Sequence, residues 1–329
     1  MSDIRWGVLG AARIARKAVI PAIRRAGAGE VVAVASASGN AERFAAEVGI
    51  PRAYASYDEL LADPEVDAVY IALPNVYHAR WILAAARARK HVLCEKPIVL
   101  AAAELQTVTA ACADAGVQLA EAFMYRHHPQ LPRLRELLDA GTIGELVTVE
   151  AAFHFTLPRS EPPDIRLRPD LGGGALRDIG CYPVDLLGWL TGAEPDDLGV
   201  VAHRDTPGGA DTRMAVAARY GAVTATLHCS FDAPFRAEAR LIGAAGTIEL
   251  PDVFRADQRG GTARIRIERD GDVSVVEVEG DQYGAQVAAF ARRLTEGVDD
   301  AAGAALTART AATLERIATA AGLLVPSAR

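Results

Sequence analysis

Two stretches of the chain carry side chains able to bind hydroxyl groups and exchange protons with them. The first is Val92-Leu93-Cys94-Glu95-Lys96-Pro97, an apolar run that ends in a lysine set against a proline. The run over 91–94 has the length and composition of a buried strand, and Pro97 stops the ladder because it has no N–H to give. Lys96 then falls at a strand's carboxyl end, the edge where open α/β sheets bind ligands; a lysine there can also simply face water. The second stretch is Gly172-Gly173-Gly174-Ala175-Leu176-Arg177-Asp178-Ile179-Gly180-Cys181-Tyr182-Pro183. Three glycines let backbone approach a ligand closely, and the helix that follows puts Asp178 and Tyr182 on one face. Taken by itself, Tyr182 reads as a half-buried packing ring.

The hydrophobic pattern shows the elements that must position these groups. Trp6-Gly7-Val8-Leu9-Gly10 reads as a buried strand, and Ala11-Ala12-Arg13-Ile14-Ala15 opens a helix that continues through Pro21-Ala22-Ile23. A strand, a small-residue turn and a helix make a phosphate cradle, because free N–H groups and the helix dipole point at the turn. Gly10 fills the first position of the glycine fingerprint, while Ala12 and Ala15 stand where the second and third glycines belong. An ordinary βα turn shares this local pattern; as a cradle, it would have Arg13 to compensate with charge. Val31-Val32-Ala33-Val34-Ala35 is a second buried strand, and no acidic residue follows it to bind the adenosine ribose of NAD. Ser36, Ser38 and Asn40 stand there, with Arg43 one turn into the next helix, a set that suits a 2′-phosphate. NADP(H) is therefore favoured over NAD(H), although Ser38 or Asn40 can equally cap the helix that runs through Val48.

Ser56-Tyr57-Asp58-Glu59 is a capping box, and 66–73 reads as a buried strand ending in Pro74-Asn75. Asn75 either donates to a cofactor hydroxyl or caps the next helix, which His78 begins. After Lys96 come a helix over 101–115, closed by Gly116, and a strand over 117–123. This βα alternation predicts a doubly wound parallel sheet of Rossmann type. Past Phe123 the pattern changes to a helix over 129–138 and then strands of period two over 146–155, 214–220, 223–231, 240–243, 264–268 and 273–279. They predict a second, α+β domain with a large open, mainly antiparallel sheet. Helices must cover one of its faces; the other is available to a second subunit, so a homodimer or homotetramer through the open face is expected. Helices over 285–294 and 304–321 close the structure. The α/β chain thus divides into a dinucleotide-binding domain over 1–123 and a substrate-binding and oligomerisation domain over 124–329.

Half of the 329 residues are apolar, ample for two cores. The net charge of −7 argues against nucleic acid, which needs a basic face. No apolar stretch is long enough to span a bilayer, so no membrane partner is expected. The amino terminus runs into a strand without a signal peptide, and a cytoplasmic location is expected. Cys94, Cys112, Cys181 and Cys229 have neither metal-type nor Cys-x-x-Cys spacing, which predicts reduced, mostly buried thiols. His127-His128 is not a metal pair by spacing, and no metal is expected.

Gly10-Ala11-Ala12-Arg13-Ile14-Ala15, Asp67-Ala68-Val69-Tyr70, Pro74-Asn75 with His78, Cys94-Glu95-Lys96-Pro97, Glu121-Ala122-Phe123-Met124-Tyr125-Arg126 and Gly172-Gly173-Gly174-Ala175 together resemble the glucose-fructose oxidoreductase/inositol dehydrogenase (Gfo/Idh/MocA) family. The resemblance covers most of the chain and lies nearest to NADP-dependent aldose 1-dehydrogenases such as xylose dehydrogenase, dihydrodiol dehydrogenases and nucleotide-sugar ketoreductases. Ser38-Gly39-Asn40-Ala41-Glu42 is similar to the NADP-binding turn of glucose-fructose oxidoreductase. The resemblance implies a cofactor site of Gly10, Ala11, Ala12, Arg13, Ile14, Ser36, Ser38, Arg43, Leu73, Pro74, Asn75, His78, Glu95, Lys96, Pro97 and Arg126. Tyr125, Arg126, His127, His154 and Arg166 fall near the seam between the halves. All of these except His127 join Lys96, Asp178 and Tyr182 as candidates for binding a sugar or polyol.

Family members usually pair an aspartate with a histidine at the 178/182 spacing. Tyr182 in the second position, as in the glucose-fructose oxidoreductase and sugar-ketoreductase branches, implies a phenol that gives or takes the proton. A free phenol titrates near pH ~10, so a base near neutrality needs a shift of about three units, or roughly 4 kcal/mol. One ammonium at about 4 Å in an effective dielectric of ~20 supplies roughly that, which assigns the shift to Lys96. An ionised Asp178 equally close would oppose it, so Asp178 is assigned to binding a sugar hydroxyl and orienting Lys96. The expected reaction is oxidation of an aldose at its anomeric carbon to a lactone. Reduction of a keto sugar and oxidation of a trans-dihydrodiol are the rivals, with a catalytically silent NADP-binding regulator as the alternative of another class.

Overall fold

Short runs of valine, alanine and leucine with both faces covered make the first sheet. The computed structural model of the chain describes residues 4–323. In it β1 (Arg5–Leu9), β2 (Glu30–Ala35), β3 (Arg52–Tyr54), β4 (Ala68–Ile71), β5 (His91–Cys94) and β6 (Leu119–Glu121) form a six-stranded sheet in the order β3-β2-β1-β4-β5-β6. Every neighbouring pair is parallel. The order reverses between β1 and β4, and the crevice outside the carboxyl ends of those strands is the position such sheets use for dinucleotides. The connecting helices are α1 (Ile20–Arg25), α2 (Ala41–Val48), α3 (Tyr57–Ala62), α4 (His78–Arg87) and α5 (Ala102–Ala115). The helix entering α1 widens into a π-helical turn at Ala15–Val19. Ser56 and Glu59 make the expected reciprocal cap on α3, at 3.2 and 3.3 Å. Trp6, Val8, Ile20, Ile23 and Tyr70 are almost wholly buried in this layer. Each large apolar side chain so buried contributes about 1.5–3 kcal/mol.

The second sheet has eight strands. β7 (Leu146–His154), β8 (Asp197–Arg204), β9 (Asp211–Tyr220), β10 (Val223–Ser230), β11 (Arg236–Gly243), β12 (Thr247–Leu250), β13 (Thr262–Arg269) and β14 (Asp272–Glu279) lie in the order β14-β13-β12-β11-β7-β10-β9-β8. All pairs are antiparallel except β7 with β10, which run parallel from Thr148↔Thr224 to His154↔Ser230. Strands β3, β8 and β12 are additional to those the pattern predicts. β3 and β12 have only three and four residues, and β8 is an edge strand whose alternate positions are no more than half-buried. α6 (Gln130–Asp139) packs on β13, and α7 (Cys181–Thr191) packs on β7 and β10. The outward positions of the sheet alternate regularly, and Val201 on β8 is 75 % exposed.

The chain passes from the first compact unit to the second at Met124/Tyr125. Tyr283–Ala304, which holds most of α8 (Gln282–Glu296), belongs to the first unit, where Phe290 packs on Trp6 with ring centroids 5.3 Å apart. The stretch 305–323, which holds most of α9 (Ala301–Ala320), belongs to the second. All four thiols are free and buried. Among the described residues no helix is long and apolar enough to cross a membrane.

Candidate active site

The carboxyl edge of the first sheet gathers the residues expected to hold a dinucleotide. Gly10 has φ +103°, and a Cβ there would stand 2.5 Å from the Ala72 carbonyl oxygen, so the turn after β1 lies directly against the turn after β4. The chain tightens at once, with Ala12 N–H donating to the Gly10 carbonyl at 2.8 Å. Ala11, Ala12 and Ile14 are half-buried and Arg13 is exposed. Such a turn opening a helix directs amide N–H groups outward, which fits a diphosphate. After β2, Ser36 Oγ lies 2.9 Å from Ser38 Oγ, and Ser38 donates on to Asn40 Oδ1 at 3.0 Å. Neither Ser38 nor Asn40 caps α2 with its side chain; the three residues bond to one another instead. Arg43 has a 76 % exposed side chain, only loosely drawn to Glu47 at 3.9 Å. Hydroxyls and an open guanidinium without a carboxylate are the donor set a 2′-phosphate needs.

Leu73, Pro74 and Asn75 are half-buried at the end of β4, and Asn75 begins a short 3₁₀ turn into α4. His78 does not face outward with them. It is wholly buried, its Nδ1 2.9 Å from the Pro97 carbonyl and its Nε2 2.9 Å from the Leu73 carbonyl. Burial holds its pKa below the ordinary histidine value against the pull of those carbonyls. The ring thus braces the loops after β4 and β5, and the expectation that it contacts cofactor is corrected to that role.

Lys96 is half-buried directly after β5, and the Lys96–Pro97 peptide bond is cis. Its backbone N–H donates to Glu95 Oε2 at 3.3 Å, while Tyr70 donates from a fully buried phenol to Glu95 Oε1 at 2.5 Å. Burial, with Glu95 second, pushes the Tyr70 pKa well up, so that phenol remains a donor. Two residues beyond Lys96, Ile98 N–H donates to Glu121 Oε1 at 2.9 Å. Glu95 therefore pins the main chain that carries Lys96.

In the second unit the glycines serve a purpose other than the expected approach to a ligand. A Cβ on Gly173 would meet the carbonyls of Arg166, Ile165 and Arg168 at 2.6–2.8 Å, and one on Gly174 (φ +125°) would meet Asp211 Oδ1 at 2.1 Å. The protein itself fills the space these residues leave. Gly174 N–H donates to the Arg166 carbonyl at 2.8 Å, and Leu176 N–H donates to Asp211 Oδ2 at 2.7 Å. The turn leads into a π-helical segment, Leu176–Gly180, which carries Asp178 and passes into α7. π-turns within helices are frequent at functional sites. Arg166 Nε donates to Asp178 Oδ2 at 2.7 Å, and Arg166 also pairs with Asp164 at 3.3 Å.

Tyr182 is 5 % exposed, boxed by Phe153, Phe254 and Tyr125 with ring centroids 5.2, 5.6 and 5.9 Å away. Tyr125, read from the sequence as a substrate contact, is wholly buried and donates to Asp185 Oδ1 at 2.5 Å. Arg126, read as a cofactor or substrate contact, donates from Nε to the same oxygen at 2.9 Å, pairs with Oδ2, and reaches Thr307 Oγ1 at 3.0 Å. Thr310 adds a bond to Asp185 Oδ2 at 2.8 Å. Both side chains therefore hold a buried carboxylate. Asp185 went unpredicted, although a lone charge inside the apolar run Val184 to Leu190 was the available signal. His154 is also corrected: it points to the open face of the sheet, opposite Phe153, with Nε2 2.7 Å from His228 Nδ1. Burial there, with His228 and Arg236 adding to it, lowers its pKa to about 4. Among the described residues no group of three or more His, Cys, Asp or Glu could hold a metal.

Comparison with known proteins gives matches over both units. A family model for oxidoreductases with an NAD-binding Rossmann fold (GFO/IDH/MocA) matches residues 4–123, and one for the GFO/IDH/MocA C-terminal domain matches 132–249. The chain is 42 % identical over 295 residues to D-xylose 1-dehydrogenase (NADP(+)) 2 of Haloferax volcanii, covering 89 % of each protein. It is 39 % identical to dTDP-3,4-didehydro-2,6-dideoxy-alpha-D-glucose 3-reductase of Streptomyces violaceoruber, covering 89 % of this chain and 87 % of that one. Among solved structures, a 3-ketoreductase from Actinomadura kijaniata in complex with NADP and TDP-benzene superposes with a TM-score of 0.90 at 32 % identity, covering 96 % of this chain and 97 % of that one.

Proposed function

Because the chain belongs to the Gfo/Idh/MocA family of oxidoreductases, we propose that it oxidises an aldose at its anomeric carbon to a lactone, with NADP+ as the acceptor. It is an NADP(H)-dependent sugar oxidoreductase acting on CH–OH groups. The choice of an aldose rests on one observation, the 42 % identity with an NADP-dependent xylose dehydrogenase over 89 % of both chains. When bound, the nicotinamide supplies the hydride acceptor. The turn from Gly10 to Ile14 would hold the diphosphate, Ser36, Ser38 and Arg43 the 2′-phosphate, and Leu73, Pro74, Asn75 and Pro97 the flank of the dinucleotide.

Tyr182 takes the proton of the sugar hydroxyl in this reading, and Lys96 favours its phenolate by charge. Asp178, fixed by Arg166, accepts from a neighbouring sugar hydroxyl. In this reading further copies of the chain cover the open face of the eight-stranded sheet, so sedimentation of the intact protein should report a homodimer or homotetramer. The cytoplasm, where four buried free thiols stay reduced, is the compartment that fits. Reduction of a nucleotide keto sugar is the rival reading, supported by the similarity to the 3-reductases.

The test is turnover of D-xylose and D-glucose with NADP+, with the lactone identified as product, beside reduction of dTDP-keto sugars with NADPH. Tyr182→Phe should lower kcat by about 10²–10⁴-fold while leaving NADPH affinity at the wild-type value. Turnover confined to keto sugars would replace the aldose reading. NADPH binding without turnover of any substrate would make the chain a regulator.

A further inference from the structure

We propose that Arg166 is a positioning residue for proton transfer: by neutralising Asp178 it keeps that carboxylate from opposing the ionisation of Tyr182. The inference rests on the reading of Tyr182 as the proton-transferring group and goes beyond it, because it assigns control of the phenol to a segment outside the helix.

The geometry supplies the argument. Asp178 stands one turn ahead of Tyr182, so its charge falls within the range over which carboxylates disfavour a phenolate. Arg166 Nε meets Asp178 Oδ2 at 2.7 Å, and the Arg166 carbonyl accepts from Gly174 N–H at 2.8 Å. A Cβ on Gly173 would collide with the Arg166 carbonyl oxygen at 2.6 Å. Backbone and side chain of one residue therefore clamp both the glycine turn and the carboxylate that follows it. Asp178 in turn holds the guanidinium even more firmly charged than usual.

Of the other ionisable groups, Lys96 favours the phenolate in the proposed mechanism and is unchanged in every variant below. Asp164 shares Arg166, Arg177 on the same segment is balanced by Asp211 of β9, and Tyr125 and Arg126 are bound to Asp185. Cys181 donates to the Asp178 carbonyl at 3.6 Å, and burial pushes the Cys229 thiol of β10 well up, which keeps it neutral. The Arg166 side chain is 41 % exposed, so water screens part of its effect. A change of about one pH unit is the scale to expect.

The experiment uses the full chain with Arg166→Gln, Arg166→Lys, Asp178→Asn and Tyr182→Phe. Two readouts apply: the pH profile of sugar oxidation, and the near-ultraviolet titration of tyrosinate with the Tyr182→Phe curve subtracted. Arg166→Gln should move the ascending limb and the Tyr182 titration upward by about one pH unit, an about tenfold slower oxidation below the limb. Arg166→Lys should restore both, and Asp178→Asn should move the titration downward. Should Arg166→Gln fail to fold, the downward shift in Asp178→Asn carries the test. Unmoved titrations in the folded variants, with Tyr182→Phe inactive, overturn this proposal alone; wild-type turnover in Tyr182→Phe overturns it together with the reading beneath it.

Discussion

Asp185 shows how a buried carboxylate sets the surroundings of Tyr182, the residue proposed to take the proton. It lies three residues after Tyr182 on α7, wholly buried, and accepts from Tyr125, Arg126 and Thr310. Tyr125 is one of the rings that box Tyr182, so the carboxylate fixes the wall against which the phenol rests. Replacing it with alanine strands a nearly buried guanidinium and two buried hydroxyls, a loss of about 3–5 kcal/mol. Asp185→Ala should lower the unfolding free energy by that amount in urea titration, and Asp185→Asn, which can still accept from Tyr125, by less. A cost below about 1 kcal/mol would mean that the donors find other partners. At this scale the sequence was partly legible. Lys96 stood out because it ends an apolar strand against a proline, and Tyr182 because it stands four residues after Asp178, but the type of a polar residue does not say which way it faces. Tyr125, Arg126 and His78 were drawn toward ligand on identity, whereas desolvation requires each of them to find a partner inside the protein. His154 turned to the opposite side of its sheet because strand alternation places it opposite Phe153.

At the scale of elements, the glycine turn does bring backbone close, but for a reason other than the one the pattern suggests. Backbone does come close at Gly173 and Gly174, but what approaches is the 165–168 segment and Asp211. Gly174→Ala must pass a left-handed φ of +125° and displace a carboxylate that sits 2.1 Å from the new Cβ. It should destabilise by more than the about 0.4–1 kcal/mol that a compatible glycine replacement gains, and should lower kcat with it, since the same carboxylate holds Leu176 N–H at the entry to the Asp178 segment. Retained stability and kcat would show that the turn relaxes freely. Most of the parallel strands were legible because buried on both faces they read as continuous apolar runs; β3 and β12 were not because they are short, and β8 because neither of its faces is fully buried. The parallel pairing of β7 with β10 inside an otherwise antiparallel sheet has no local signature, being set by how α7 packs across both strands. The return of Tyr283–Ala304 to the first unit is equally silent, since an amphipathic helix carries no address for the sheet it covers.

For the whole molecule, the sum of these burials fixes how stability responds to pH. Burial lowers the pKa of His78, His91, His128 and His228, and that of His154 to about 4, with His228 and Arg236 adding to the last shift. In the unfolded chain each of these titrates near pH ~6.5. Below that value the unfolded state binds more protons than the native state, so acidification favours unfolding. The contribution is fully present above pH ~6.5 and is lost as the pH falls toward the native values. Asp67, held down first by its hydrogen bond from Arg5, and Asp170, held down first by Arg168, extend the loss into the range below pH ~4. Asp211 acts in the opposite sense, because burial raises its pKa and its protonation accompanies folding. With five histidines against one such aspartate, the unfolding free energy should hold level from neutral pH to about 6.5 and decline steadily below it. His154→Gln should make the decline shallower down to pH about 4, without altering the plateau. Urea titrations at half-unit pH intervals read this directly; a plateau that persists to pH ~5 would mean that the imidazoles take up protons in the native state as readily as in the unfolded chain.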